Sequence, residues 1–323
     1  MSTITYADLL ALPGISDFLK RVEQRLADDV AWVGGSTAAT AAETLAAGGK
    51  RLRPLLVLLS SPISGQSEEN LIRAGSAVEL VHMATLVHDD VLDHASLRRG
   101  RPTVWAQHGD RIAGATGDFL FARAFAVLAE TNDMESLVLL AQAALGLSEG
   151  EALQMLQTRR PETTPEQYFE RCTLKTGRLF AAACGLGGRL GGLGDADAAA
   201  LAEYGRLLGL AFQVADDILD CDGLSSTTGK VLGTDLIGGT ATLPLLYAAR
   251  IDAEIAEALR REPEPAAVLP LLARVGELGA LDEARDTARE LVRTAEEALD
   301  LITGDLDTTP LRMVVRGVVD RDT

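Results

Sequence analysis

The chain is short of cysteine, of aromatic residues and of positive charge, and each shortage narrows its possible roles. Three cysteines, Cys172, Cys184 and Cys221, make an odd count with no metal-ligand spacing. They argue against a disulfide framework or a zinc site and are expected as reduced thiols. Lysine and arginine total 30 against 47 acidic residues, a formal net charge of −17. That balance argues against a nucleic-acid partner, while a local cation cluster or a bound metal can still receive a phosphate. The stretch Met1 to Asp8 lacks the basic and apolar regions of a secretory leader. No apolar run is read as approaching the roughly 20 residues of a membrane span, so a cytoplasmic protein without a span is expected. Aromatics are only 4%, and no convincing strand alternation occurs. Apolar residues instead recur at spacings of three and four, so the fold class is all-α. Hydrophobic residues at 47% of 323 can build a large core. No true linker interrupts the chain, and residues 1–323 read as a single domain.

One motif occurs twice. The apolar helical run Glu79 to Val87 leads into His88-Asp89-Asp90-Val91-Leu92-Asp93. Residues i and i+4 share a helix face, so Asp89 lies over Asp93 with Asp90 beside them. Like charges packed this closely destabilise a bare helix, but they suit Mg²⁺, which takes carboxylate oxygens together with substrate phosphates. Downstream, Phe212-Gln213-Val214-Ala215-Asp216-Asp217-Ile218-Leu219-Asp220 repeats the pattern. A single Asp-Asp-x-x-Asp is as well explained by a solvated helix face. Two copies, each closing an apolar helix, point to a shared metal site.

Cations stand near both copies. Gly48-Gly49-Lys50-Arg51-Leu52-Arg53-Pro54 places three cations where Pro54 suits the first turn of a helix, an anion-favouring position. Arg98, Arg99 and Arg101 follow the first aspartate cluster and read as forks for phosphate oxygens. The spacing predicts helices at about 15–34, 36–47, 68–94, 112–130, 133–158 and 166–184. Further helices are expected across the second cluster and at about 243–261, 265–276, 281–301 and 310–319. His108-Gly109-Asp110 reads as a turn, residues 185–194 as close helix packing followed by a turn, and 222–240 as a loop beside the metals.

In this order the motifs resemble those of the trans-type polyprenyl diphosphate synthases, from about Gly48 to Tyr247. The resemblance rests on Gly49 to Pro54, the first aspartate cluster with Arg98-Arg99-Gly100, Lys175-Thr176, the Gln213 to Asp220 motif and Gly229-Lys230. It implies an isoprenoid-synthase-type helical bundle around a deep central cavity, with core motifs at 48–247 and C-terminal helices at 265–319. It also implies a transferase that joins an allylic diphosphate to isopentenyl diphosphate, with three Mg²⁺ held by Asp89, Asp90, Asp93, Asp216, Asp217 and Asp220. Arg98, Lys175 and Lys230 then meet the allylic diphosphate, and Thr176 and Gln213 steady the cation left behind. Lys50, Arg53, His82 and Arg99 receive isopentenyl diphosphate. A homodimer is implied as well. His82 lies two turns before Asp89 on nearly the same face, which favours a diphosphate contact over a packed core histidine. Two departures stand out: Thr240 occupies the place of a lysine common in the family, and Gly177 follows Lys175-Thr176 where alanine is usual.

Upstream of Asp89, the small residues Thr85, Ala84 and Val81 take positions where short-chain members tend to carry an aromatic plug. Their size predicts a medium-to-long product, hexaprenyl to decaprenyl, with Phe121 or Phe125 as a candidate floor. The alternatives are a short-chain farnesyl or geranylgeranyl synthase and the catalytic subunit of a heteromeric synthase. A terpene cyclase and a non-catalytic partner subunit fit less well, because both aspartate clusters are complete.

Overall fold

The computed structural model describes residues 6–32, 34–62, 68–222 and 232–319. Tyr6–Leu10 (α1), Ile15–Ala31 (α2), Ser36–Ala46 (α3) and Leu52–Leu59 (α4) lead to the long helix Glu68–Leu92 (α5). A small antiparallel hairpin of Leu97–Arg98 (β1) and Arg101–Pro102 (β2) follows. Val104–Ala129 (α6) and Met134–Gln157 (α7) come next, and then Pro165–Cys172 (α8). One π-helical turn, Thr173–Gly177, joins α8 to Arg178–Leu190 (α9). The chain continues through Asp195–Asp222 (α10), Thr234–Gly238 (α11), Leu243–Ala249 (α12) and Ala253–Arg260 (α13). Pro265–Glu277 (α14), Ala280–Asp300 (α15) and Thr309–Val319 (α16) complete it. The expected all-α class is observed.

Helix α5 is apolar on every side, and residues from Leu71 to Asp90 bury most of its length. Such a helix belongs at the centre of a bundle, and α2, α4, α6 and α9 pack around it. These helices share one apolar cluster that includes Leu26, Leu55, Leu80, Leu120 and Phe180. A second cluster joins the C-terminal half of α10 to α8 and α12 to α15 through Tyr168, Val214, Leu243, Ile255 and Ala284. The first aspartate motif therefore emerges from one cluster and the second from the other. All three thiols are free and buried, Cys184 in the first cluster and Cys172 and Cys221 in the second. Burial pushes the Cys172 and Cys184 thiols up to about 12.

Several expected boundaries move for local reasons. Helix α6 starts at Val104, ahead of the expected 112, because the Thr103 side chain accepts from Ala106 N at 3.1 Å and caps it. Gly109 takes a left-handed φ of 75° inside that helix, so the expected turn survives as a kink. The expected helix 243–261 breaks where Asp252 caps α13 through Glu254 N and Ile255 N. The run expected at 166–184 is interrupted by the π turn and continues to Leu190. The reading that no apolar run is long enough to span a membrane is also corrected. By length and composition α6 qualifies, since its alanines, phenylalanines and glycines leave few charges along 26 residues. In the bundle it lies along α5.

Candidate active site

Helix α5 ends in a group of three adjoining cavities. The first, of about 320 Å³, is lined by Gly48, His82, Asp90, Arg98, Arg99 and Arg101. The second, of about 740 Å³, is lined by Asp93, Arg98, Lys175, Thr176, Gln213 and Asp217. The third, of about 470 Å³, is lined by Thr85, Asp89, Phe121, Leu147, Glu151 and Lys175. Arg98 stands on both the first and second, and Lys175 on both the second and third. Residues more than 120 positions apart, Asp93 and Asp217, thus face one space.

Two ion pairs of Arg51 brace one wall of the arginine-rich cavity. Arg51 has a left-handed φ of 48° and is held by Glu23 at 2.8 Å and by buried Glu79 at 3.0 Å. These pairs hold the turn ahead of α4. Arg99 donates to Gly48 O across the cavity. Arg53 lies with its guanidinium carbon 4.7 Å from the centre of the Phe180 ring, and its Nε is buried with no hydrogen-bond partner. Burial lowers its pKa to about 10. His82 is held well below its ordinary value, by burial first and then by Arg53, Arg99, Arg98 and Arg51. A neutral imidazole among arginines can accept a proton or donate one hydrogen bond to a phosphate oxygen. Lys50 is exposed beside this cavity. Lys230, with the rest of 223–231, lies outside the described residues.

The six aspartates divide by what holds them. Asp90 is buried and accepts from Arg98 Nε at 2.8 Å. Asp217 is buried and accepts from Tyr168 Oη at 2.6 Å on one oxygen and from Gln213 Nε2 at 2.8 Å on the other. Asp220 accepts from Thr234 N and Oγ1 on Oδ1 and from Asp235 N on Oδ2, capping α11. By contrast, no side-chain hydrogen bond reaches Asp89 or Asp93 among the described residues. Burial pushes Asp89 up to about 6 and raises Asp93, while Lys175 pulls both down. Asp216 is half-buried on the same turn as Asp217. Burial raises Asp217 to about 6 against its two hydrogen bonds. Among the described residues no three His, Cys, Asp or Glu side chains converge tightly enough to hold a metal alone. Mg²⁺ needs no such cage, since it keeps waters and takes one or two carboxylates plus substrate phosphates.

Lys175 and Thr176 sit in the π turn, a single-turn irregularity of the kind found at functional sites. The turn is seated between two glycines. A Cβ on Gly150 of α7 would stand 2.7 Å from Lys175 N, and one on Gly209 of α10 would stand 2.9 Å from the Gly177 Cα. Gly177, the departure noted in the sequence, has Arg206 O at 3.3 Å from where its own Cβ would be. Lys175 pairs with Glu151, and both line the third cavity. Thr240 lines the second cavity, and Arg171, buried beside it, donates to Ala241 O at 2.8 Å. Tyr168, Glu79, Glu151 and Arg171 were not singled out in the sequence. Of the three small residues of α5, Thr85 opens on the third cavity opposite Phe121, whereas Ala84 and Val81 are wholly buried in the core.

Comparison with known proteins matches this arrangement. The polyprenyl synthetase family model matches residues 36–272. The octaprenyl diphosphate synthase of Haemophilus influenzae is 37% identical over 260 residues, covering 79% of each chain. Component 2 of the heptaprenyl diphosphate synthase of Geobacillus stearothermophilus is 36% identical over 293 residues, covering 90% of each. The structure of a polyprenyl synthase from Caulobacter crescentus, complexed with calcium and isoprenyl diphosphate, superposes with a TM-score of 0.91. It shares 35% identity and covers the whole of both chains. With the doubled aspartate motif, the arginine-lined cavity and the bundle all in place, the chain belongs to the polyprenyl synthetase family.

Proposed function

We propose that this chain condenses an allylic diphosphate with isopentenyl diphosphate, head to tail, into an all-trans polyprenyl diphosphate of hexaprenyl to decaprenyl length. The observation that carries the reading is the meeting of three cavities of different chemistry at the end of α5. One is rich in arginine, one holds carboxylates from both motifs, and one is mainly apolar. Two diphosphates and a growing hydrocarbon tail need those three environments.

Mg²⁺ fits the donor set, since Asp89 and Asp93 are partly desolvated carboxylates that no side-chain hydrogen bond satisfies. We assign it to these two and to Asp216. Bound there, it supplies positive charge to the departing diphosphate. Arg98 and Lys175 flank the same space and add charge where the leaving group becomes more negative. Arg98 is aimed by Asp90. Thr176 and Gln213, whose side chains are 3.0 Å apart, present oxygen dipoles to the allylic carbon without a nucleophile strong enough to trap it. Isopentenyl diphosphate enters the arginine-lined cavity, where Arg99 and His82 receive its phosphates, with Lys50 at the edge and Arg53 adding charge from its seat on Phe180. A proton then leaves the new carbon chain to the departed diphosphate. Thr85 and Phe121 border the space that takes the tail.

We also propose a cytoplasmic homodimer. Helix α7 turns apolar residues outward, with Met134 71%, Leu145 66% and Leu156 68% exposed. Exposed apolar area of that kind marks a surface that is covered. The heptaprenyl relative is named as one component of a synthase, which favours a second reading, the catalytic subunit of a heteromer. Incubation with Mg²⁺, farnesyl diphosphate and labelled isopentenyl diphosphate tests the set. Medium-to-long polyprenyl diphosphate from the chain alone is the expected result. A cyclised hydrocarbon formed without uptake of isopentenyl diphosphate overturns it, and silence until a second chain is added selects the heteromer.

A further inference from the structure

Four side chains from three elements form one hydrogen-bonded line beneath the second cavity. Tyr168 of α8 donates to Asp217 Oδ2 at 2.6 Å. Gln213, one turn before Asp217 on α10, donates through Nε2 to Asp217 Oδ1 at 2.8 Å. Thr176 of the π turn donates to Gln213 Oε1 at 3.0 Å. Tyr168 has no exposed surface and Asp217 has 2%. Each oxygen of the carboxylate thus already accepts one hydrogen bond from the protein at the wall of the second cavity.

We infer that Asp217 is an anchor and not a metal ligand, and that with Tyr168 it sets the direction in which the Gln213 amide and the Thr176 hydroxyl point. The inference rests on the synthase reading above and concerns what this motif contributes to it. A carboxylate only accepts hydrogen bonds, so the end of Gln213 that meets it must be the NH₂ group. The amide oxygen then lies at the other end. It is an acceptor, so the Thr176 O–H must donate to it. The hydroxyl hydrogen is thereby withdrawn from the cavity, and the lone pairs of Thr176 are left to face the developing positive charge on the allylic carbon. With a neutral acceptor-and-donor group at 217, the amide can turn over and the line reverses. Thr176 then points a hydrogen at the cation and repels it. Tyr168 fixes the far side of the carboxylate so that it cannot rotate away from Gln213. Tyr168 and Asp217 are positioning residues, and Thr176 and Gln213 are the groups that reach the reacting atoms.

The test compares Tyr168→Phe, Asp217→Asn and Asp216→Asn by two measurements. The first is calorimetric binding of Mg²⁺ together with inorganic pyrophosphate, which needs no turnover. The second is steady-state kinetics with each substrate varied. Tyr168→Phe and Asp217→Asn are expected to bind Mg²⁺ and pyrophosphate within about twofold of the parent, whereas Asp216→Asn weakens that binding about tenfold or more. In kinetics Tyr168→Phe loses about tenfold and Asp217→Asn about a hundredfold in kcat, with KM for the allylic diphosphate nearly unchanged. Loss of Mg²⁺ binding in Asp217→Asn equal to that in Asp216→Asn overturns the inference, as does a parental kcat in Tyr168→Phe. Tyr168→Phe keeps the ring and the packing, so it decides the matter even if Asp217→Asn fails to fold. A parent protein that binds Mg²⁺ and pyrophosphate but condenses nothing defeats the synthase reading, and the calorimetric arm still reports on Asp217.

Discussion

At the end of α5, Asp89 and Asp93 face cavities with no side-chain hydrogen bond among the described residues. On α10, Asp217 and Asp220 have both carboxylate oxygens engaged by the protein. The two motifs have the same spacing, so helical periodicity gives them the same face. Apart from Gln213, one turn before Asp217, their partners come from elsewhere: Tyr168 lies 49 positions before Asp217, and Thr234 and Asp235 lie 14 and 15 after Asp220. A repeated motif therefore fixes where carboxylates stand, and the donors around each copy decide how many protein hydrogen bonds each carboxylate accepts.

That contrast can be broken in graded steps. The largest effect is expected at the first cluster. Asp89→Asn or Asp93→Asn should lower kcat/KM for condensation on the order of 10³-fold while leaving the melting temperature close to the parent's. A comparable loss of melting temperature would show that these carboxylates are structural. Next comes the tail space. Thr85→Phe should shorten the product, read by mass spectrometry, because Thr85 opens on the third cavity. Ala84→Phe, at a site with no exposed surface, should instead destabilise the core by about 1–3 kcal/mol through overpacking. A shortened product at full stability from Ala84→Phe would reopen the case for a ruler deeper in α5.

Smaller effects test the other side. Asp220→Ala should cost about 1–2 kcal/mol in denaturant unfolding, because two backbone N–H groups and a hydroxyl lose a charged acceptor. Asp93→Ala should cost almost nothing in the same measurement. The smallest effect is a pH dependence away from the site. Asp133 caps α7 through Ser136 N, and Arg189 hydrogen-bonds its carboxyl and holds it at about 2. A carboxyl depressed in the folded state adds stability above its unfolded value near 4, and that stability is lost as pH falls through about 2. The stability gap between parent and Asp133→Asn should therefore narrow over that interval, and a constant gap would reject the account.

Much of the fold was legible because the helices carry their own signals. Ala74 to Val87 of α5 is mostly apolar, Pro54 marks a first turn, and the apolar spacing of α7 agrees with its observed ends within a residue. The aspartate motifs were legible for the same reason. Other features depend on contact and leave no local trace. The π turn is set by close seats at Gly150 and Gly209, which lie 25 and 34 positions from Lys175. The hairpin at 97–102 pairs only two residues per strand, too few to alternate visibly. Tyr168 sits two turns before Lys175 and reads as an ordinary core residue until Asp217 is placed against its hydroxyl. Arg51 stood in a cationic run, and only the meeting with Glu23 and Glu79 shows it to be a staple.

The buried thiols give the molecule a pair of internal clocks. Cys184 belongs to the cluster around α5, and Cys172 and Cys221 to the cluster around the end of α10. A thiol reagent reacts with the thiolate, and burial suppresses that form at each position. Labelling must therefore wait for the surrounding helices to open. If the two clusters breathe as one unit, the three cysteines become modified at a common rate. If the second cluster opens by itself to admit substrate, Cys172 and Cys221 run ahead of Cys184, and pyrophosphate with Mg²⁺ slows those two alone.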